Sequence, residues 1–386
     1  MSQRSDIDLT YSDRKNGLDS RTARHIFSRQ YVIRETPLLK HLIKQLKDCV
    51  DLGFREIREA ALLLADPAVP DEEKADFLVA LRAKGESGEE LGYFARSFLE
   101  LAVRPDVGLE GKPCADVVGT GGDRLELINV STTCIFVLAA AGVVVVKHGN
   151  RGISSKAGAA DVLEALGIPV TCEPGQMCDC IHQTGIGFLF APLYHPAFRV
   201  VAPVRRKLAE QGMSTVFNLL GPLLNPVQPE AQLTGVFSPI ILEKYGVALR
   251  ELGRKRAWVV HGRAMPGAGM DEISLLGETA VCEVSRGSLN SFCLFPDRLG
   301  FRNPALQELR GGSASFNAGV LTDILANRDR SAKRDLIVIN AAATLVVTGI
   351  AQGMEEGIKV ASEILDSGLA YEKLCEFQRF FARSAP

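Results

Sequence analysis

The chain has 386 residues, 46% of them hydrophobic, and its 44 Lys and Arg nearly balance its 46 Asp and Glu, for a net charge of −2. That length predicts a large domain with a smaller companion, and the near-neutral charge offers no long-range pull toward nucleic acid or an acidic membrane surface. No apolar run approaches the roughly 18–20 residues that cross a bilayer, so no membrane partner is expected.

Residues 1–35 are rich in Arg, Asp and Ser and contain no apolar stretch that could act as a secretion signal. They read as a polar extension on a cytoplasmic protein. The nine cysteines are scattered and odd in number, which fits reduced thiols rather than a disulfide framework. Cys172, Cys178 and Cys180 cluster near His182, but their spacing matches no CxxC zinc pair and ordinary structural cysteines are the favoured reading.

From Pro37 to about Val103 the pattern is helical, with Leu38, Leu39, Leu42, Ile43 and Leu46 at helical spacing, then Ile57, Ala60, Ala61 and Leu64. Pro67 and Pro70 interrupt it, Asp71 to Glu73 open the next helix where acids suit the dipole, and Ser87 caps another. The segment 36–104 is therefore expected to be a small bundle of short helices without strands. From Cys114 the texture alternates. Val143–Val146, Phe188–Ala191, Leu233–Phe237 and Ala257–Val260 read as buried strands. Ser131–Ala141, Ala159–Leu166, Ala197–Glu210 and Ile240–Leu252 read as the helices between them. Residues 336–381 return to helix, broken at Gly349, Gly353 and Gly368. The expected fold is α/β: a central, mostly parallel sheet in residues 105–386, with carboxy-terminal helices.

Three loops carry the candidate chemistry. After the short apolar run Asp116-Val117-Val118 comes Gly119-Thr120-Gly121-Gly122-Asp123, where glycines let backbone N–H groups approach an anion closely. Asn129-Val130-Ser131-Thr132 then precedes an apolar helix, whose N-terminus supplies unpaired donors and a positive dipole end suited to phosphate. The loop is neither a GxxxxGK[ST] cradle nor a dinucleotide GxGxxG, and no apolar strand ends in an acidic pair before a Thr-rich loop. The second loop, Lys147-His148-Gly149-Asn150-Arg151, leaves a buried strand at the end where ligands bind in α/β sheets. The third is Met270-Asp271-Glu272, after the glycine-rich, flexible-looking stretch Gly262–Gly269. Two adjacent carboxylates suit Mg²⁺, which favours a few carboxylates plus substrate phosphates.

Together these segments closely resemble the anthranilate phosphoribosyltransferase family. The motifs are GTGGD…NVST at 119–132, KHGNR at 147–151, SSK with ADVLEALG at 154–167, APLYHPAFRVVAPVR at 191–205, FNLLGPLLNP at 217–226 and MDE at 270–272. The resemblance implies transfer of phosphoribose from 5-phosphoribosyl-1-diphosphate (PRPP) to the amino group of anthranilate. It implies a small helical domain at 36–104, with the helices at 195–213 packed on it, and an α/β domain at 105–386. It also implies a homodimer through the helical domain. Carried over by motif, Gly119, Thr120, Gly121, Gly122, Asp123, Asn129, Ser131, Thr132, Lys147 and Ser155 would bind PRPP. Ser131, Asp271 and Glu272 would hold Mg²⁺, while His148, Asn150, Tyr194, His195 and Arg205 would receive the acceptor. His148 is also the candidate proton acceptor.

The sequence departs from the family pattern at Arg124–Ile128, in the lengthened segment 206–214, where Ser214 replaces the usual Arg, and in the expanded stretch Gly262–Gly269. These touch the PRPP loop, the acceptor pocket and the approach to the carboxylate pair. The alternatives they leave are transfer to another aromatic acceptor, a pyrimidine-nucleoside phosphorylase (which would carry KMSGR in place of KHGNR), or a nucleic-acid-binding paralogue without the activity.

Overall fold

The computed structural model of the chain describes residues 39–109, 111–152, 156–265 and 268–383. The polar extension at 1–35 and Ser155 lie outside the described residues.

Four helices come first: α1 Lys40–Lys47, α2 Phe54–Leu64, α3 Asp71–Lys84 and α4 Gly88–Glu100. Ser87 caps α4 as its spacing predicts, accepting from the Glu90 N–H at 3.1 Å while Glu90 Oε2 accepts from the Ser87 N–H at 2.8 Å. The alternating region follows as β1 Cys114–Gly119, α5 Val130–Ala140, β2 Val144–Gly149, α6 Ala159–Ala165, α7 Pro174–Thr184 and β3 Ile186–Phe190. Next come α8 Ala191–Tyr194, α9 Ala197–Glu210, α10 Phe217–Leu220, β4 Ala231–Gly235, α11 Leu242–Glu251 and β5 Arg256–Met265. The remainder is β6 Ala268–Met270, β7 Thr279–Ser285, β8 Ser288–Leu294, α12 Ala314–Leu325, α13 Ala332–Thr348, α14 Met354–Asp366 and α15 Leu369–Arg383.

The sheet runs β3-β2-β1-β4-β5-β7-β8. The first five strands are parallel, and β7 and β8 add an antiparallel edge. Sequence reading missed that edge, because β8 alternates between exposed and half-buried positions and never forms an apolar run. It also misread Gly262–Gly269 as a flexible stretch. The segment is the far end of β5 and its antiparallel return β6, pairing Gly262 with Met270 and Arg263 with Gly269.

Alternate residues of β5 enter different cores, as the pleat requires. Ala257 and Val259 join Cys282 and Val284 of β7 in a core shared with α1–α4, α9 and α11. Trp258 and Val260 face the other way, toward α13 and its neighbours. Helix α13 is buried nearly all round, from Ala332 to Val347, as a helix without a polar face must be. Helix α11 thus covers one face of β5 and β7, with α4 of the helical bundle packed against α11, and the carboxy-terminal helices cover the opposite face of the sheet.

Candidate active site

Strands β1 and β4 end side by side, with Gly119 opposite Gly235 and Gly235 opposite Val260, and β5 runs on beyond them to Met265. Glycine is forced here by space. A Cβ on Gly119 would overlap the Asp271 carboxylate, one on Gly235 the Asp271 backbone carbonyl, and one on Gly262 the Glu272 carbonyl. The Asp271–Glu272 turn therefore lies directly on the C-terminal rim of the sheet, the end where ligands of open α/β sheets bind.

The glycine loop reaches the same rim. Gly121 and Gly122 have φ of +67° and +89°, and the Gly121 N–H donates to Asp271 Oδ2 at 2.7 Å. Thr120 is tied down by its N–H to Gly235 O at 2.9 Å and by the Phe237 N–H donating to its Oγ1 at 3.1 Å. The divergent stretch after Asp123 is anchored on its own terms. Leu125 is buried with Ala264 and Met270, Ile128 N–H donates to Leu309 O at 3.2 Å, and Glu126 pairs with Lys156 at 2.8 Å. Arg124 and Glu126 adopt positive φ, 58° and 54°, and both point to solvent. This departure from the family pattern is a local packing solution against β6 and residues 309–311.

Asn129 sits at the N-cap of α5 without capping it. Its Nδ2 donates to Ala157 O at 3.2 Å and its Oδ1 accepts from Asn317 Nδ2 at 2.7 Å, so it joins the loops around the first turn. Ser131 and Thr132 occupy that turn. Ser131 Oγ accepts from Lys147 Nζ at 3.0 Å, and Thr132 Oγ1 is buried with no hydrogen-bond partner.

Lys147 is buried beneath the rim, where its Nζ also donates to Val117 O at 2.6 Å. Burial lowers its pKa, opposed by the charges of Asp116 and Glu272. Asp116, wholly buried, accepts from Asn225 Nδ2 at 2.9 Å and is pushed up to about 6 by burial, against the pull of Lys147. Burial and then the Asp123 charge raise half-buried Asp271 to about 7. Burial and then the Asp271 charge raise Glu272 well above the usual range, against Lys147. The site thus crowds Asp116, Glu272 and Asp271 around one buried ammonium, with Asp123 beside Asp271. Among the described residues no group of three or more His, Cys, Asp and Glu is arranged to hold a metal ion unaided. An all-oxygen site with two carboxylates and open positions fits Mg²⁺ completed by phosphate oxygens.

Beyond the carboxylates lies an aromatic cluster. The rings of His148 and His195 are 5.1 Å apart, His195 and Phe198 5.5 Å, and Phe198 and Phe217 5.2 Å. His148 Nδ1 lies 3.2 Å from Gly221 O; a carbonyl only accepts, so Nδ1 carries the proton and Nε2 keeps its lone pair, buried and unpartnered. Burial holds His148 well below the usual imidazole range and His195 at about 4, so both rings are neutral at pH 7. The Arg205 guanidinium lies 5.0 Å over the Phe217 ring, and no carboxylate among the described residues pairs with it. Asn150 is exposed at the end of β2 and accepts from the Arg151 N–H at 2.8 Å. Tyr194 is not brought to this cluster. Its ring is buried in the sheet core, its hydroxyl lacks a partner, and the charges that bear on it come from Cys172, Cys178 and Glu173. His182 is engaged elsewhere, its Nε2 2.6 Å from Val107 O.

Four supporting residues escaped sequence reading: Asp116, Asn225, Asn317 and Asn340. Asn340 Oδ1 accepts from the Ile273 N–H at 2.9 Å, and its Nδ2 donates to Ile273 O at 3.0 Å. A signal existed for Asp116, Asn317 and Asn340, since a lone Asp in a buried strand, or a lone Asn in an apolar helix, must find partners; Asn225 lies in irregular chain and gave none.

Comparison with known proteins agrees with this geometry. The family described as "Glycosyl transferase family, a/b domain" matches residues 111–371, and its "helical bundle domain" matches residues 40–102. The anthranilate phosphoribosyltransferase of Rubrobacter xylanophilus is 43% identical over 348 residues, which cover 90% of this chain and 99% of that protein. The solved anthranilate phosphoribosyltransferase of Thermus thermophilus superposes with a TM-score of 0.80 at 39% identity, over 88% of this chain and 98% of that one. The Saccharomyces cerevisiae enzyme, solved in complex with PRPP and Mg, gives 0.79 at 26% identity, over 91% and 99%. The matches define a glycosyl transferase made of a helical bundle and an α/β domain. Within that class, the chain belongs to the anthranilate phosphoribosyltransferase family.

Proposed function

We propose that this chain transfers the phosphoribosyl group of PRPP to the amino group of anthranilate, releasing diphosphate. The observation that carries this reading is the seating of Asp271 and Glu272 on the glycine rim, Asp271 accepting from the Gly121 N–H and Glu272 beside buried Lys147.

The C1–oxygen bond to diphosphate breaks with its electron pair leaving on oxygen, the amine nitrogen forms the new bond to C1, and nitrogen loses a proton. Gly119, Thr120, Gly121 and Gly122 of the glycine loop, with Asp123, Asn129, Ser131, Thr132 and Lys147, cradle PRPP; Ser155 joins them by motif. Asp271, Glu272 and Ser131 would hold Mg²⁺. Magnesium bound there supplies positive charge against the departing diphosphate. Lys147 adds a fixed cation that need not reorganise as charge develops; one such donor is typically worth about 3–4 kcal/mol.

His148, His195 and Asn150 line the acceptor side, and Arg205, with no carboxylate partner among the described residues, pairs with that of anthranilate. The unpartnered Nε2 of His148 can take the amine proton. Fixing the amine near C1 supplies roughly 7–11 kcal/mol through orientation. Tyr194 supports the wall from the core and does not touch the acceptor.

The proposed working unit has a helical domain at 36–104, joined by the helix of 195–213, and an α/β domain at 105–386. Val201, Val204 and Leu208 share one core with Phe77 and Phe94, which supports that division. The proposal includes a homodimer through the helical domain and a cytoplasmic location; no helix among the described residues is long and apolar enough to cross a membrane.

Purified protein given PRPP, Mg²⁺ and anthranilate is expected to extinguish anthranilate fluorescence. Persistence of the fluorescence while PRPP binds would point to a different acceptor.

A further inference from the structure

The carboxylate turn is held from two sides, and the far side contributes no residue of the recognised motifs. On the sheet side, Gly119, Gly235 and Gly262 leave space for the backbone of Asp271 and Glu272. On the far side stands Asn340, in the middle of α13 and wholly buried. Its neighbours Ile337, Val338, Ile339, Ala341, Ala342 and Ala343 are all buried and apolar. An amide there is costly unless every polar atom is paired. It is paired: Oδ1 takes the Ile273 N–H at 2.9 Å, and Nδ2 gives to Ile273 O at 3.0 Å and to Leu336 O at 2.9 Å.

The bonded pair on Ile273 is the informative part. Ile273 directly follows Glu272, and its N–H belongs to the peptide whose carbonyl is that of Glu272, the atom packed over Gly262. One amide thus grips both polar backbone groups of the residue behind the metal-side carboxylate. Those groups could have been satisfied by neighbouring backbone, as they are elsewhere in the sheet. The turn instead takes this anchor from a helix more than sixty positions later in the chain.

We propose that Asn340 is a positioning residue for the Asp271–Glu272 pair. It fixes the peptide after Glu272 so that two mutually repelling carboxylates stay turned toward the cation and diphosphate. Without that anchor, the peptide after Glu272 would be free to rotate and carry the two carboxylates out of register with each other. The inference rests on the phosphoribosyl transfer reading above, since it needs a divalent cation at this pair.

The test uses the full chain, wild type, Asn340→Ala and Asn340→Ser. Mn²⁺ binding in the presence of saturating PRPP is followed by electron paramagnetic resonance, alongside the Mg²⁺ dependence of turnover. Loss of a residue that orients metal ligands weakens metal binding by roughly 10–100-fold. A rise of that size in the Mn²⁺ dissociation constant is expected in both variants, with the Mg²⁺ requirement shifted in proportion and the KM for anthranilate unchanged. If the alanine variant does not fold, the serine variant carries the measurement, because its hydroxyl can still bond one buried carbonyl. A lower melting temperature with unchanged Mn²⁺ affinity would show that Asn340 only stabilises the fold, and would overturn the proposal. If wild type itself binds no Mn²⁺ with PRPP present, the magnesium reading fails and the inference falls with it.

Discussion

The two ends of the same parallel strands treat charge in opposite ways. At the N-terminal ends, Lys255 and Glu230 pair at 2.6 Å with 69% and 59% of their side chains exposed, and Arg256 is also exposed. Such pairs are well hydrated and contribute little. At the C-terminal rim, Lys147 and Asp116 are buried outright, and Asp271 and Glu272 face each other and Asp123. Desolvating like charges beside one another costs stability, which Lys147 opposes. The difference teaches where the fold is arranged for a ligand: the rim gathers like charges that a cation and an anion arriving together would offset, whereas at the far end the Lys255–Glu230 pair is complete alone and buried Arg254 bonds Gln232 Oε1 at 3.0 Å.

Three variants sharpen or break that contrast. Glu272→Gln keeps the shape and removes the charge; turnover should fall by roughly 10²–10³-fold, the scale of losing one charge-stabilising group in an active site. Unchanged turnover in the fluorescence assay would remove Glu272 from the metal site. Asp271→Asn should trade activity for stability. The Asp271 carboxyl rises from 3.8 to about 7 on folding, so the folded chain holds the extra proton and stability declines as pH climbs between those values. With that charge absent, melting by calorimetry without Mg²⁺ should rise by roughly 2–4 °C at pH 8 and stay level with wild type at pH 4 or below. A lower melting point at pH 8 would mean the carboxylate is stabilised by partners the account omits. The smallest effect belongs to the far end. Lys255→Ala should change stability by no more than about 0.5 kcal/mol in urea unfolding and leave turnover alone. A large loss of either would erase the distinction between the two ends.

Much of the rim could be read in advance because its chemistry is local in sequence. Three glycines in four residues, KHGNR after a buried run, and MDE after a strand each place polar groups where neighbours in the chain already fix the backbone. The core strands were equally legible as apolar runs, apart from their ends. What sequence did not show depends on long-range packing. Gly235 and Gly262 look like ordinary strand glycines until the Asp271 turn is seen lying on them. The β5–β6 hairpin hid behind its glycines, and β8 behind its polar edge. Tyr194 adjoins His195 in the chain, yet it ends α8 with its ring in the sheet core while His195 turns to Phe198. Neighbours in sequence need not share a site.

The central claim is that the rim holds PRPP and magnesium and passes the sugar to anthranilate. It is tested most directly by counting diphosphate released against anthranilate consumed, with Mg²⁺ present and with the acceptor included or withheld. The account predicts one diphosphate for each anthranilate and almost none when anthranilate is omitted. Release at the same rate without anthranilate, or anthranilate consumed without diphosphate, would contradict it.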